Sequence, residues 1–403
     1  MTRLAVSFTN LGPYHLARLR AAGEAILARG GSLVAIETAG TEQKYAWDME
    51  GSSLPGPFER VTLAPGATLE SLSPTACKVA MRKALDDLDP DAVAVAGYVR
   101  PEVMAAAEWA RRRNHPIVLM SESQAIDRPR SWWKEAIKKR RVARFDAALC
   151  GGPEHRDYLV ELGMPRDRIA LGYNAVDHDA FAARADAARA VERPTHLPPG
   201  PFFLCVCRFA PEKDVFTLLG AFARYREGAG PATSWGLALV GDGPDRAAIE
   251  RRIDELGLRG HIALPGFLQA EALAPWHAHA GAFVLPSRSE PWGLVVNEAA
   301  AARLPLIVSD RCGCASTLVP GPSGTTGWTF PAGDAAALAD RLDRTASLTT
   351  VERIEIGNHA RAIASTWGPS RFAEGLLQAL DHATSRVRPR VGRPATHRPS
   401  LVS

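Results

Sequence analysis

The stretch "LAVSFTNLGPYHLARLRAAGEAILARGGSLVAIE", residues 4–37, reads as one β-α-β unit. "LAVSF" is a short apolar run and "NLGP" turns the chain. Leu16, Leu19, Gly23 and Ile26 then recur at helical spacing before "GGSLVAIE" supplies a second strand. The same alternation continues outward, with "DAVAVAGY", "PIVLM" and "DAALCG" as strands and "PEVMAAAEWARRR" and "EHRDYLVELG" as the helices between them. Strands apolar along nearly their whole length suit a parallel sheet covered on both faces.

A second series starts past the run "DAARAVERPTHLPPGP", residues 186–201, whose prolines and missing apolar period mark a linker. It comprises "FFLCVCRF", the helix "DVFTLLGAFARYRE", "GLALVGDG", the helix "DRAAIERRIDELG", "IALPGF", "AGAFVLPS", a helix around "LVVNEAAAA", and "PLIVSD". The fold expected is α/β, with two doubly wound Rossmann-like domains in tandem. Their bounds are 1–185 and 201–365, with a linker at 186–200, a last helix at 366–385 and a disordered Arg/Pro-rich tail at 386–403.

A chain of 403 residues is longer than one core usually grows, and 46% apolar with 23% charged residues describes an ordinary globular protein. No run approaches a membrane span and the amino-terminal apolar run is too short for a signal peptide, so the expected location is cytoplasmic. The last eighteen residues carry five arginines and no acid, and the rest of the chain holds 43 basic against 44 acidic residues. That near balance argues against nucleic acid as a partner. The pairs Cys205/Cys207 and Cys312/Cys314 stand apart from any histidine in sequence and read as small buried hydrophobes rather than metal ligands.

Chemistry is concentrated in "PSRSEPWGLVVNEAA", residues 286–300. A strand should end near Ser287 and a helix begin near Gly293, on the edge where open α/β sheets bind ligands. Amides of Gly293 and Leu294 at a helix start can hold a phosphate. Glu298 lies about 7 Å further along the helix axis, so Glu290 and Glu298 can face opposite ends of a bound diphosphate. The alternative is plainer: Glu290 caps the helix and Glu298 is solvated. "CVCRFAPEKD" brings Arg208 and Lys213 to the carboxyl end of the domain's first strand, where two cations could neutralise a diphosphate.

Taken together, "RFAPEKD", "VGDGPDR", "LPGF", "PSRSEPWGLVVNEAAAARLPLIVSD" and "GWTFPAGDAAALADRL" resemble the nucleotide-sugar half of glycosyltransferase family 4, retaining enzymes of the GT-B fold. The likeness is specific over roughly residues 200–345, and "GYNAVDHDAF" carries it back to the domain junction. The resemblance implies that Arg208, Lys213 and Glu290 act in catalysis, the cations on the diphosphate and Glu290 on donor-sugar hydroxyls. Glu298 would hold the ribose, and Gly241, Gly243, Pro291, Trp292, Gly293, Leu294, Val295 and Gly12 would complete the donor side. It further implies a nucleotide-sugar co-substrate, no cofactor and no metal, a second domain that binds the donor, a first that selects the acceptor, and a last helix crossing back to the first. Relatives often carry His after a central strand of the first domain; this chain has Ser121, Glu122 and Ser123, leaving Glu122 and His15 as acceptor-side candidates.

The acceptor is open: a glycan, a lipid-linked sugar or a small molecule. "SWWKEAIKKRRVARF" reads first as a solvated helix with its tryptophans in the core, and second as a basic amphipathic helix lying on an anionic membrane at its inner face. Rival functions are a GT-B epimerase or hydrolase, or a silent sugar-nucleotide-binding protein. A dehydrogenase fits poorly, because "GDGPDR" puts Arg246 where a dinucleotide fingerprint needs its third glycine.

Overall fold

The computed structural model describes residues 2–41, 56–127, 130–229, 234–320 and 324–386. Apart from Arg386, the segment read as a disordered tail lies outside the described residues. The first half contains β1 (Arg3–Phe8), α1 (Pro13–Ala28), β2 (Ser32–Thr41), β3 (Glu59–Thr68), α2 (Pro74–Leu88), β4 (Ala92–Ala96), α3 (Pro101–Arg113), β5 (Ile117–Ser121), α4 (Trp132–Val142), β6 (Ala147–Cys150), α5 (Pro153–Glu161) and β7 (Ile169–Leu171). Its strands form one parallel sheet in the order β3-β2-β1-β4-β5-β6-β7.

The second half contains α6 (His178–Arg189), β8 (Phe202–Val206), α7 (Val215–Ala229), β9 (Gly236–Val240), α8 (Arg246–Glu255), β10 (Ile262–Gly266), α9 (Ala270–His279), β11 (Ala282–Leu285), α10 (Leu294–Ala301), β12 (Leu306–Ser309), α11 (Ala315–Leu318), β13 (Gly327–Phe330), α12 (Ala335–Ala346), α13 (Thr350–Ser365) and α14 (Pro369–Thr384). These strands form a second parallel sheet, β10-β9-β8-β11-β12-β13.

Both strand orders reverse beside the first strand of their sheet, between β1 and β4 and between β8 and β11. The loops that leave these strands splay apart there and open a crevice at their carboxyl ends. Apolar residues on both faces of each strand fix the layers. In the first sheet Leu4 and Val6 face one buried cluster and Ala5 the other. The first cluster is closed by α14, whose Phe372, Leu376 and Ala379 pack on α1 and on β5 to β7. The last described helix thus returns to the first sheet.

Two expectations need correction. The chain passes to the second half before the proline-rich run: α6 packs on α9, α10 and α13 and continues to Arg189, so residues 178–185 belong structurally to the second half. The tryptophans of α4 are not in the core either, since Trp132 is 84% and Trp133 50% exposed. The helix buries Glu135 and Val142. Trp133 lies about 200° around the helix from Glu135 at 3.6 residues per turn, and Trp132 begins the helix, ahead of that buried stripe.

Candidate active site

The loop after β8 carries the two cations. Pro211–Lys213 forms a single 3-10 turn that ends on Asp214 in the left-handed conformation (φ 50°). Asp214 is held in place by Thr217 Oγ1 at 2.6 Å and Arg288 Nε at 2.6 Å, both donating to its carboxylate. This turn aims Lys213 at the loop after β11, where its ammonium is hydrogen-bonded to Glu290 Oε2. Burial is the largest single influence and would lower the lysine's pKa, but the charge and hydrogen bond of Glu290, with smaller contributions from Cys207 and Cys312, together outweigh it and the net shift is upward. Lys213 is therefore a fixed cation at physiological pH. Arg208, half-buried, pairs with Glu212 at 2.8 Å.

Glu290 is not the cap of α10. Gly293 holds that position at φ 98°, with no side-chain cap bond. The amides of the first turn have no earlier helical turn to bond, which suits them to an anion. Glu298, in the second turn, is not solvated: it is buried, and the Tyr14 hydroxyl of the other domain donates to its Oε1. Burial raises the Glu298 pKa to about 7, against the smaller opposing effect of the Tyr14 hydrogen bond.

Gly241 and Gly243 have positive φ, and a Cβ on them would meet the carbonyl oxygens of Cys207 at 1.9 Å and Phe209 at 2.3 Å. Their missing side chains are already required by close packing of the β9 and β8 loops. Trp292 is likewise spent on packing. Its ring centroid lies 5.6 Å from that of His155 and 5.0 Å from that of Trp367, and Nε1 donates to Asn297 Oδ1 at 2.9 Å. Leu294 and Val295 are half-buried at the start of α10.

Across the crevice, α1 starts at its cap residue Gly12, whose amide donates to His15 Nδ1 at 3.2 Å. Burial, with a lesser contribution from Arg18, lowers the His15 pKa to about 3, so this ring is neutral and serves the helix start. Glu122 follows β5, is exposed, and accepts from Asn174 Nδ2 at 2.9 Å. Among the described residues three hydrogen bonds join the first domain to the loop after β11: Gln124 Nε2 to Glu290 O at 3.2 Å, Ser289 Oγ to Asp127 O at 3.1 Å, and His155 Nε2 to Pro291 O at 2.8 Å. His155 Nδ1 accepts the Gly152 amide at 3.0 Å, which fixes its proton on Nε2.

Residues 189–361 match the family described as Glycosyl transferases group 1, and residues 47–180 match Glycosyltransferase Family 4. The chain belongs to the family 4 glycosyltransferases. Its two parallel sheets form the GT-B fold. Sucrose-phosphate synthase from Thermosynechococcus elongatus superposes over 96% of this chain and 100% of that one, with a TM-score of 0.73 at 20% identity. Anabaena HepE, solved with UDP and glucose, does so over 94% and 100% with a TM-score of 0.69 at 17% identity. Among curated relatives, the GDP-mannose-dependent alpha-(1-6)-phosphatidylinositol monomannoside mannosyltransferase of Mycolicibacterium smegmatis is 31% identical over 37% of this chain and 40% of its own. Alpha-D-kanosaminyltransferase of Streptomyces kanamyceticus is 30% identical over 57% of each. The chain thus spans about half the length of these relatives.

In this family 4 chain Tyr14, Arg18 and His155 are among the residues near the domain junction that sequence reading missed. Tyr14 and Arg18 stand one helical turn apart in "PYHLAR", a spacing that puts both on one face of α1. That spacing was the available signal. His155 gave none, because a single histidine at a helix start acquires its meaning only when Pro291, 136 positions later, meets it.

Proposed function

We propose that the protein transfers a sugar from a nucleoside-diphosphate sugar to an acceptor, with retention at the anomeric carbon. The observation that carries this reading is the meeting of Lys213 and Glu290 at the switch point of the second sheet, with buried Glu298 on the helix that follows. Departure of the diphosphate develops negative charge, which Lys213, Arg208 and the first amides of α10 stabilise without reorganising. Glu290, held by Lys213, accepts from hydroxyls of the sugar, and Glu298 accepts from the ribose in place of Tyr14. Attack by the acceptor on the departing group's own face, with its proton passing to the leaving phosphate, then completes a retaining transfer. Fixed cations take the place that a divalent ion has elsewhere.

The test is thermal unfolding of the purified chain with UDP, GDP, ADP, TDP or NAD, in EDTA. A diphosphate at a hundred times its dissociation constant adds about 2.7 kcal/mol, so one nucleotide should raise the melting temperature clearly. Chromatography of the products with and without candidate acceptors then separates transfer from hydrolysis. No response to any diphosphate, or a response to NAD alone, would end this reading.

Peripheral attachment to an anionic membrane belongs to the same proposal. No described helix is long and apolar enough to cross a bilayer. Exposed Trp132, Trp133 and Ile137 share α4 with Lys134, Lys138, Lys139, Arg140 and Arg141, and Arg144 follows. Indoles at the headgroup level with lysines and arginines around them fit an anionic lipid surface. Cosedimentation with phosphatidylglycerol vesicles should fall at least ten-fold in the Trp132→Ser/Trp133→Ser double variant and in 1 M salt. Equal pelleting with phosphatidylcholine vesicles would contradict it.

A further inference from the structure

Among the described residues, Arg18 is the only arginine or lysine that is buried, at 2% exposure. No carboxylate lies within ion-pair distance of it among those residues. Its Nε donates to Ala175 O at 2.8 Å, its guanidinium carbon sits 5.3 Å from the centre of the Tyr173 ring, and its buried Nη2 has no partner. A buried cation without a counter-charge is costly, and an apolar side chain of similar size would ordinarily be as stable or more so. Packing alone therefore gives a weak reason for an arginine here.

Its position supplies a stronger one. Arg18 lies one turn after Tyr14 on α1, and Tyr14 reaches across the crevice to Glu298. The loop after β7 brings Tyr173 and Ala175 against the guanidinium, while Glu122, after β5, acts on it only through its longer-range charge. All of these loops leave the carboxyl ends of the first sheet, opposite the donor loop. We infer that Arg18 binds an oxyanion of the acceptor, and that the acceptor is a phosphate ester. This deepens the transferase reading and rests on it.

A guanidinium presents two parallel N–H groups to two oxygens of one anion. Tyr173 offers a hydroxyl beside it. Tyr14 is released toward the same place when a ribose takes Glu298. These three donors match the several acceptor oxygens of a phosphate better than the two of a carboxylate. The ester could be a soluble sugar phosphate or the headgroup of a phospholipid, and the chemistry at Arg18 is common to both.

The experiment uses the full chain saturated with the nucleoside diphosphate that stabilises it, so that the donor site is filled. Phosphorus-31 line widths of inorganic phosphate, glycerol 3-phosphate and phosphatidylglycerol in mixed micelles are then followed, with acetate followed by carbon-13. We expect phosphate to bind, binding to weaken at least ten-fold in Arg18→Met, and Arg18→Lys to keep part of it. Nucleoside-diphosphate affinity should change less than two-fold, and Arg18→Met should melt at or above the wild-type temperature. Broadening of glycerol 3-phosphate identifies a soluble ester, and broadening of the micellar lipid alone identifies a headgroup. Acetate binding in place of phosphate would overturn the phosphate assignment. An Arg18→Met chain that binds phosphate normally, or that melts far below wild type or fails to fold, would overturn the role of Arg18. Loss of nucleoside-diphosphate binding by the wild type would instead count against the transferase reading.

Discussion

Lys213→Ala should lower kcat by two to three orders of magnitude, the usual loss on removing one preorganised charge from a developing anion. The substitution also strands Glu290. With the ammonium gone, Ser287 Oγ at 3.4 Å is the remaining side-chain hydrogen-bond donor to that carboxylate among the described residues, and it is a long contact. Breaking a buried pair by removing one partner costs about 3 kcal/mol or more, because the other charge is left uncompensated. Both side chains here keep some solvent contact, at 18% and 11% exposure, so the low end of that range applies. The double variant Lys213→Met/Glu290→Gln should then recover stability and no activity. Steady-state kinetics with the stabilising nucleotide's sugar, beside thermal melts of all three proteins, separates the two effects. A single variant with kcat within three-fold of wild type would remove Lys213 from the mechanism.

Glu298→Gln should make the protein more stable above neutrality and change its pH profile. The folded-state pKa of about 7 lies above the ordinary 4.5, so between these values the folded chain holds a proton that the unfolded chain has released. Stability contributed by this group therefore falls as pH rises from about 4.5 to about 7 and is level beyond. A shift of that size corresponds to about 3 kcal/mol. Glutamine does not titrate, so the stability difference between variant and wild type should grow across that window, read by denaturant melts at closely spaced pH. A difference that stays constant with pH would contradict the buried, proton-holding state of Glu298. Nucleotide affinity should move the other way. The ionised carboxylate is the acceptor for ribose hydroxyls, so wild-type binding should weaken below about pH 7 and the glutamine variant should bind more weakly at pH 8.

Much of the fold was legible because parallel strands buried on both faces leave unbroken apolar runs. "LAVSF", "PIVLM", "FFLCVC" and "PLIVSD" each became a strand in a sheet core. The edge strand β3 was passed over, since its residues are half-exposed and polar enough to carry no such run. α6 escaped the linker reading for a related reason: its three buried residues are His178, Ala182 and Ala185, too small and polar to register as an apolar period.

The sequence by itself determined the two-domain α/β architecture and the family, and it singled out Arg208, Lys213, Glu290 and Glu298 as candidates, because short-range patterns and a collinear motif set carry that information. Tertiary structure alone decided who meets whom. Lys213 and Glu290 are 77 positions apart and Tyr14 and Glu298 are 284 apart, and no local periodicity encodes such a pairing. It decided the state of each group as well. Glu298 and Arg18 owe their altered proton affinities to burial by residues distant in the chain, and the exposure of Trp132 and Trp133 follows from α4 burying Glu135 and Val142 instead. Desolvation depends on everything that surrounds a group, and that is a property of the packed chain rather than of any stretch of it.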